Sequence, residues 1–170
     1  MSEPIINKVA ESGIITLNLE DYLPKQEVIV FDIKDYLFMG LILKEKEFRQ
    51  SLKELDLSKY KEKIVSIICS IDAVIPMWAY MLIVSTINTV ALDVIIGTSS
   101  EATNKLQLKN IQNIKVEDFR DKRVVIKGCG ENPISEEAYL EITKKLLPVV
   151  KSIMYGEPCS TVPVYKKKSD

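Results

Sequence analysis

No histidine occurs anywhere in the 170 residues. That absence removes the Ser-His-Asp and Cys-His nucleophile systems, zincin sites and the usual histidine-ligated mononuclear metals. The phosphate-cradling pattern G-x-x-x-x-G-K-[ST] is also missing, and "GCGENP" at 128–133 has Pro133 where a dinucleotide fingerprint needs its third glycine. Ordinary NTP or NAD binding is therefore unsupported. An excess of either charge is lacking as well: 23 basic residues face 24 acidic ones, for a net charge of −1 and a pI of about 5.7. With no overall basic field to hold a phosphate backbone, nucleic acid is not an expected partner, and Lys166, Lys167 and Lys168 read as a solubilising tail. The N-terminal stretch "MSEPIINKVAESG" places Glu3, Lys8 and Glu11 where a secretory leader needs an unbroken apolar core, so export is unsupported. Cysteine is scarce, at three residues, and without a secretory context these are expected to be free thiols in the reducing cytoplasm.

What is present is the composition of a soluble globular protein, 46% hydrophobic and 28% charged. The length suits one domain over residues 1–170, with flexible ends at roughly 1–10 and 166–170. Neither an internal repeat nor an interdomain linker is evident. One uncharged run, "AVIPMWAYMLIVSTINTVAL" at 73–92, has the length of a membrane span. Pro76, the polar Ser85, Thr86, Asn88 and Thr89, and acidic flanks at Asp72 and Asp93 favour a helix buried in a core.

The β-branched "EVIVFDI" (27–33) predicts a strand, and the stripe Phe48, Leu52, Leu55 predicts an amphipathic helix over 45–56. "KIVSIICS" (63–70), "LDVIIGT" (92–98) and "RVVIKG" (123–128) read as strands buried on both faces. A polar stretch of weak helical or irregular character separates the last two. The last element, 135–156, opens with acids and closes at Gly156, which predicts a long helix kinked at Pro148. Strands alternating with helices predict an α/β fold: a mostly parallel sheet covered by helices on both faces, in a single three-layer domain.

In such a fold, ligands bind beyond the carboxyl ends of the strands. Cys69 follows one buried strand, with Asp72 close behind, and Cys129 follows another, between Gly128 and Gly130. If those strands are parallel and adjacent, the thiols approach each other, because neighbouring strands lie about 4.8 Å apart. The bland reading of Cys69 is a small buried hydrophobe; that of Asp72 is the N-cap of the apolar helix. The glycines around Cys129 let a ligand or another backbone come close. Cys159 sits in "GEPCSTVP", where Gly156 and Pro158 read as a helix stop. A helix over 135–156 would run about 33 Å at 1.5 Å per residue, carrying Cys159 away from the other thiols. A kink, a different strand order or a homodimer contact would restore convergence. Acid pairs such as Asp32 with Asp35 mark no catalytic centre, and Met77, Trp78, Tyr80 and Met81 read as core.

On "FDIKDYLF", "CSIDAVIPMWAYM", "RVVIKGC" and "PVVKSIMYGEPCSTVPVYKKK", the chain resembles, over nearly its whole length, a family of Bacteroidetes proteins catalogued as domain of unknown function 2480. That resemblance brings no activity or catalytic residues. Genes for similar proteins often sit near iron-sulfur assembly genes, which implies iron-sulfur assembly proteins as partners. The expectation is a thiolate metal-binding or iron-sulfur accessory protein, with Cys69, Cys129, Cys159 and Asp72 around zinc or an iron-sulfur cluster. Two alternatives stand beside it: a non-catalytic scaffold or small-ligand-binding protein with structural cysteines, and a persulfide or thiol carrier acting through Cys159.

Overall fold

The computed structural model describes residues 13–128 and 130–168. In chain order, β1 (Ile14–Asn18) runs into a 3-10 turn at Leu19–Tyr22, and β2 (Val28–Asp32) into one at Ile33–Tyr36. Then come α1 (Glu45–Lys53), β3 (Ile64–Ile68), α2 (Met77–Ile87), β4 (Asp93–Ile96) and α3 (Ser99–Gln112). The chain continues through β5 (Arg123–Lys127), α4 (Glu136–Leu146), β6 (Ser152–Glu157) and β7 (Ser160–Lys166). The α/β class and the mostly parallel pairing agree with the sequence expectation. The strands divide, however, between two sheets, β2-β3-β4 and β1-β5-β6-β7, rather than lining up in one. Every pairing is parallel except that of β6 with β7.

The chain forms two compact units. The second, residues 24–103, is a continuous stretch inserted between the two parts of the first, 1–23 and 104–170. In the second unit Phe31, Val65 and Ile67 of the sheet belong to one buried cluster with Phe48 and Leu52 of α1 and Ala79, Ile83 and Ile87 of α2. In the first, Leu17, Val124, Ile126 and Ile153 cluster with Ile111 of α3 and Ala138, Ile142 and Leu146 of α4. The early stretch is tied to α3 by side chains: Gln107 Nε2 donates to the Leu19 carbonyl (2.8 Å) and Asn110 Nδ2 to that of Tyr22 (2.9 Å). Burial pushes the Tyr22 phenol above its ordinary pKa, with Asp21 adding to it. In the second unit, burial does the same to Tyr36, with Tyr60 and Asp35 adding.

The two units repeat one course of elements, which the sequence reading did not find. The 3-10 turn Leu57–Tyr60, β3 and α2 recur 59 residues later as Val116–Phe119, β5 and α4, with identical lengths. Ala79, Ile83 and Ile87 correspond to Ala138, Ile142 and Leu146, all fully buried. Left-handed backbone recurs at Glu62 (φ 59°) and Asp121 (φ 56°), and again at Gly97 (φ 123°) and Gly156 (φ 116°). Even the loop bonds match, Glu62 N to Val90 O (3.1 Å) becoming Asp121 N to Val149 O (2.8 Å). The opening strand and its turn follow a different interval: β1 with Leu19–Tyr22 matches β2 with Ile33–Tyr36 at a shift of 14. Asn18 and Asp32 cap those turns alike, accepting from the amides of Glu20 and Lys34.

Several local expectations change. The final helix ends at Leu146 rather than near 156, because Pro148 removes a helical donor and the chain from Ser152, with the β-branched Ile153, enters a parallel strand beside β5. The polar stretch before β5 contains the 14-residue α3. The apolar run 73–92 yields an 11-residue helix, and among the described residues no helix is long and apolar enough to cross a membrane. Residues 1–10, expected to be a flexible end, lie outside the described residues, as do 169–170. Lys166 closes β7, and the Lys167 amide donates to the Lys151 carbonyl (2.9 Å).

Ile83 and Ile142 are matched plugs in matched cores. Ile83→Ala and Ile142→Ala are each expected to cost about 2–5 kcal/mol in urea unfolding, and a loss below about 1 kcal/mol at either position would contradict the equivalence.

Candidate functional site

In the second unit, β2, β3 and β4 are parallel, so Asp32, Cys69 and Gly97 lie along one carboxyl edge. Cys69 is partly buried, packs against the apolar cluster, and its Sγ donates to the Ile71 carbonyl (3.3 Å). Asp72 is exposed and does not cap α2, whose N-cap is Pro76, without a side-chain hydrogen bond. Asp32 does more at this edge. Its Oδ1 accepts from the amides of Lys34 (3.0 Å) and Ser70 (3.1 Å), fastening the turn after β2 to the end of β3. Burial opposes its charge, but the hydrogen bonds from Ser70 and Lys34 outweigh it and hold the carboxyl below its ordinary range.

The first unit carries the other thiols. Cys129 lies outside the described residues. The space beside its glycine neighbours is taken by the protein itself: a Cβ at Gly128 would overlap the Tyr139 hydroxyl, and one at Gly130 the Glu20 carboxylate, which also accepts from the Asn132 amide (2.8 Å). Cys159 is exposed, and with Pro158 it forms the turn of the β6–β7 hairpin, whose last pair is Glu157 with Ser160. It follows a strand rather than a helix stop. Because β6 runs parallel to β5, this hairpin rises from the edge where β5 ends, and Lys127 Nζ meets Glu157 Oε1 at 3.2 Å. The long helix that would have carried Cys159 to the opposite edge does not form.

The strands preceding Cys69 and Cys129, β3 and β5, belong to different sheets and are not the adjacent pair the sequence reading considered. Among the described residues, no group of three or more Cys, Asp or Glu side chains is placed to hold a metal ion.

Sequence reasoning missed a groove in the first unit. It occupies about 380 Å³ between α4 and the β6–β7 hairpin, with Ile126 and Ile153 as its floor and Tyr139, Thr143, Tyr155 and Val164 around it. The rings of Tyr139 and Tyr155 meet edge to face at 5.8 Å. A register shift beside Ile153 and Met154 interrupts the pairing of β6 with β7, and such a bulge bends and twists the strand that carries it. In sequence, "STVPVYK" offered a signal for β7, alternating β-branched residues after a turn.

A family model described as "Protein of unknown function (DUF2480)" matches residues 3–167. The chain belongs to that family. No curated protein and no solved structure matches it.

Because the folded pKa of Asp32 is depressed, its contribution is complete above the unfolded value of about 3.9 and is lost as pH falls through the folded value. Asp32→Asn should therefore flatten the fall in stability below about pH 4. Parallel acid-unfolding curves for the wild type and the variant would refute this.

Proposed function

We propose that this DUF2480 protein binds a small apolar or aromatic molecule in the groove of its first unit. The observation that carries the reading is the groove itself, at about 380 Å³. It falls within the range of roughly 300–1,000 Å³ typical of small-ligand sites, which are mostly apolar with a few placed polar groups. Thr143 and the two tyrosines are the residues able to offer a polar group in a lining otherwise made of Ile, Met and Val. A flat ring lying against the Tyr139–Tyr155 pair gains edge and face contacts that an aliphatic chain of equal area does not. The groove is bounded by β7, and the β7 hairpin extends the first unit beyond the elements matched in the second. A titration with indole followed by amide NMR is expected to shift resonances around Tyr139, Thr143, Tyr155 and Val164. Thr143→Trp, which fills the groove, should weaken binding by about tenfold or more. Shifts scattered over the surface, or unaffected by Thr143→Trp, would end this reading.

A second reading has one observation in its favour: the exposed Cys159 thiol stands at the tip of a hairpin, accessible to another protein. There it would serve as a persulfide or thiol carrier, or give one thiolate to a zinc or iron-sulfur centre completed by an assembly partner. Reaction with a thiol probe at neutral pH should outpace a free-cysteine peptide and vanish in Cys159→Ser. A rate no higher than the peptide's would remove the carrier role, and protein purified anaerobically without bound metal or sulfide would remove the centre.

A further inference from the structure

The repeat provides an internal control on what the fold requires. The helices α2 and α4 have equal length, bury the same three positions, and expose matching ones. Yet α4 carries Glu136, Glu137, Glu141, Lys144 and Lys145, whereas α2 carries no charge at all. Met77 stands where α4 has Glu136, and Ser85 where it has Lys144. The architecture therefore accepts charge at the position of Met77, while at that of Met81 α4 also carries an exposed apolar residue, Leu140.

That face continues into its surroundings. Met77 is 70% exposed, Met81 one turn on is 72%, and Val74 just before the helix is 90%. Ile71 lies 3.8 Å from where a Cβ on Gly40 would be, which places the tip of a tight loop beside them. The loop is closed by hydrogen bonds between Phe38 and Ile42 (2.8 and 3.3 Å) and exposes Met39 at 80%, Leu41 at 65% and Ile42 at 61%. Met39 holds a left-handed backbone at φ 52°, an unfavourable conformation for a residue whose side chain is left in solvent.

We propose that this face is the contact between two copies of the chain, related by a two-fold axis. Its six most exposed side chains are all apolar and each at least 61% exposed, the kind of apolar face that marks an interaction site on a protein surface. Two-fold pairing sets each side of the patch against itself. Since neither the loop tip Phe38–Ile42 nor the run 73–92 contains a charge, the contact brings no like charges together and buries none unpaired. The rim holds both signs, at Lys44 and Asp72, and the net charge of −1 leaves little repulsion between copies. Methionines at its centre adapt to a facing copy of themselves.

Size-exclusion chromatography with light scattering on the full chain tests this. The wild type is expected at twice the 19.3 kDa chain mass. Met77→Glu/Met81→Glu, the first at the position where α4 carries Glu136 and the second at a side chain 72% exposed, should give the single-chain mass with unchanged circular dichroism. Leu41→Glu, in the loop rather than the helix, is the second variant and should weaken association by about a hundredfold or more. A wild type that stays at the single-chain mass over a wide concentration range overturns the proposal and leaves the face to a different protein. A dimer that survives both folded variants overturns it as well.

Discussion

The contact on which each unit depends is that between one helix face and an inner strand of its sheet. In one unit, Ala79, Ile83 and Ile87 share a core with Val65 and Ile67; in the other, Ala138, Ile142 and Leu146 share one with Val124 and Ile126. Spacings of four place the three helical residues on one stripe, and the alanine at its start lets the backbones approach closely. Burying each larger side chain is worth about 1.5–3 kcal/mol, so these few residues hold the layers together. The loops that join helix to strand are also alike in both units, left-handed at Glu62 and Asp121 and bonded to the carbonyls of Val90 and Val149. Because this frame is fixed by so few positions, most of the remaining surface is open to other demands.

The legible parts of the fold were those with local signals. β2, β3, β4 and β5 appear within a residue or two of where their β-branched runs predict, and Phe48 and Leu52 are buried on α1 as their spacing requires. The stretch 147–157 misled because its residues suit both a helix and a buried strand, and only the long-range pairing of Val124 with Ile153 decides between them. The repeat was hidden for a different reason. Its identities, such as Ala79 with Ala138, Tyr80 with Tyr139 and Gly97 with Gly156, are scattered, and its opening strand is displaced by 14 residues where the rest is displaced by 59. No single shift of the sequence against itself aligns the whole unit.

The site was less legible. That Cys69 follows a strand could be read directly, but the two-sheet division that separates β3 from β5 could not, since each buried strand is compatible with either sheet. The groove depends on residues from β5, α4, β6 and β7 that span 39 positions in the chain, from Ile126 to Val164. None of these residue types carries chemistry that would single it out. Cys129 was conspicuous because of its flanking glycines, yet their smallness accommodates Glu20 and Tyr139, partners that only folding brings near.

Once one framework is built twice in a chain, differences between equivalent positions separate what the framework needs from what has been added. Gln107 takes the buried place of Phe48 because the first unit must recapture a strand left far behind in the chain, and its amide reaches the Leu19 carbonyl where a ring could only pack. Thr143 takes the place of Val84, putting a hydroxyl on the wall of the groove. Lys144 takes the place of Ser85, keeping in solvent a helix whose counterpart is apolar. The last two exchanges leave the common core unaltered, because its helix contacts lie at Ala79, Ile83, Ile87 and their equivalents. The added chemistry therefore sits on the faces that this stripe leaves unused.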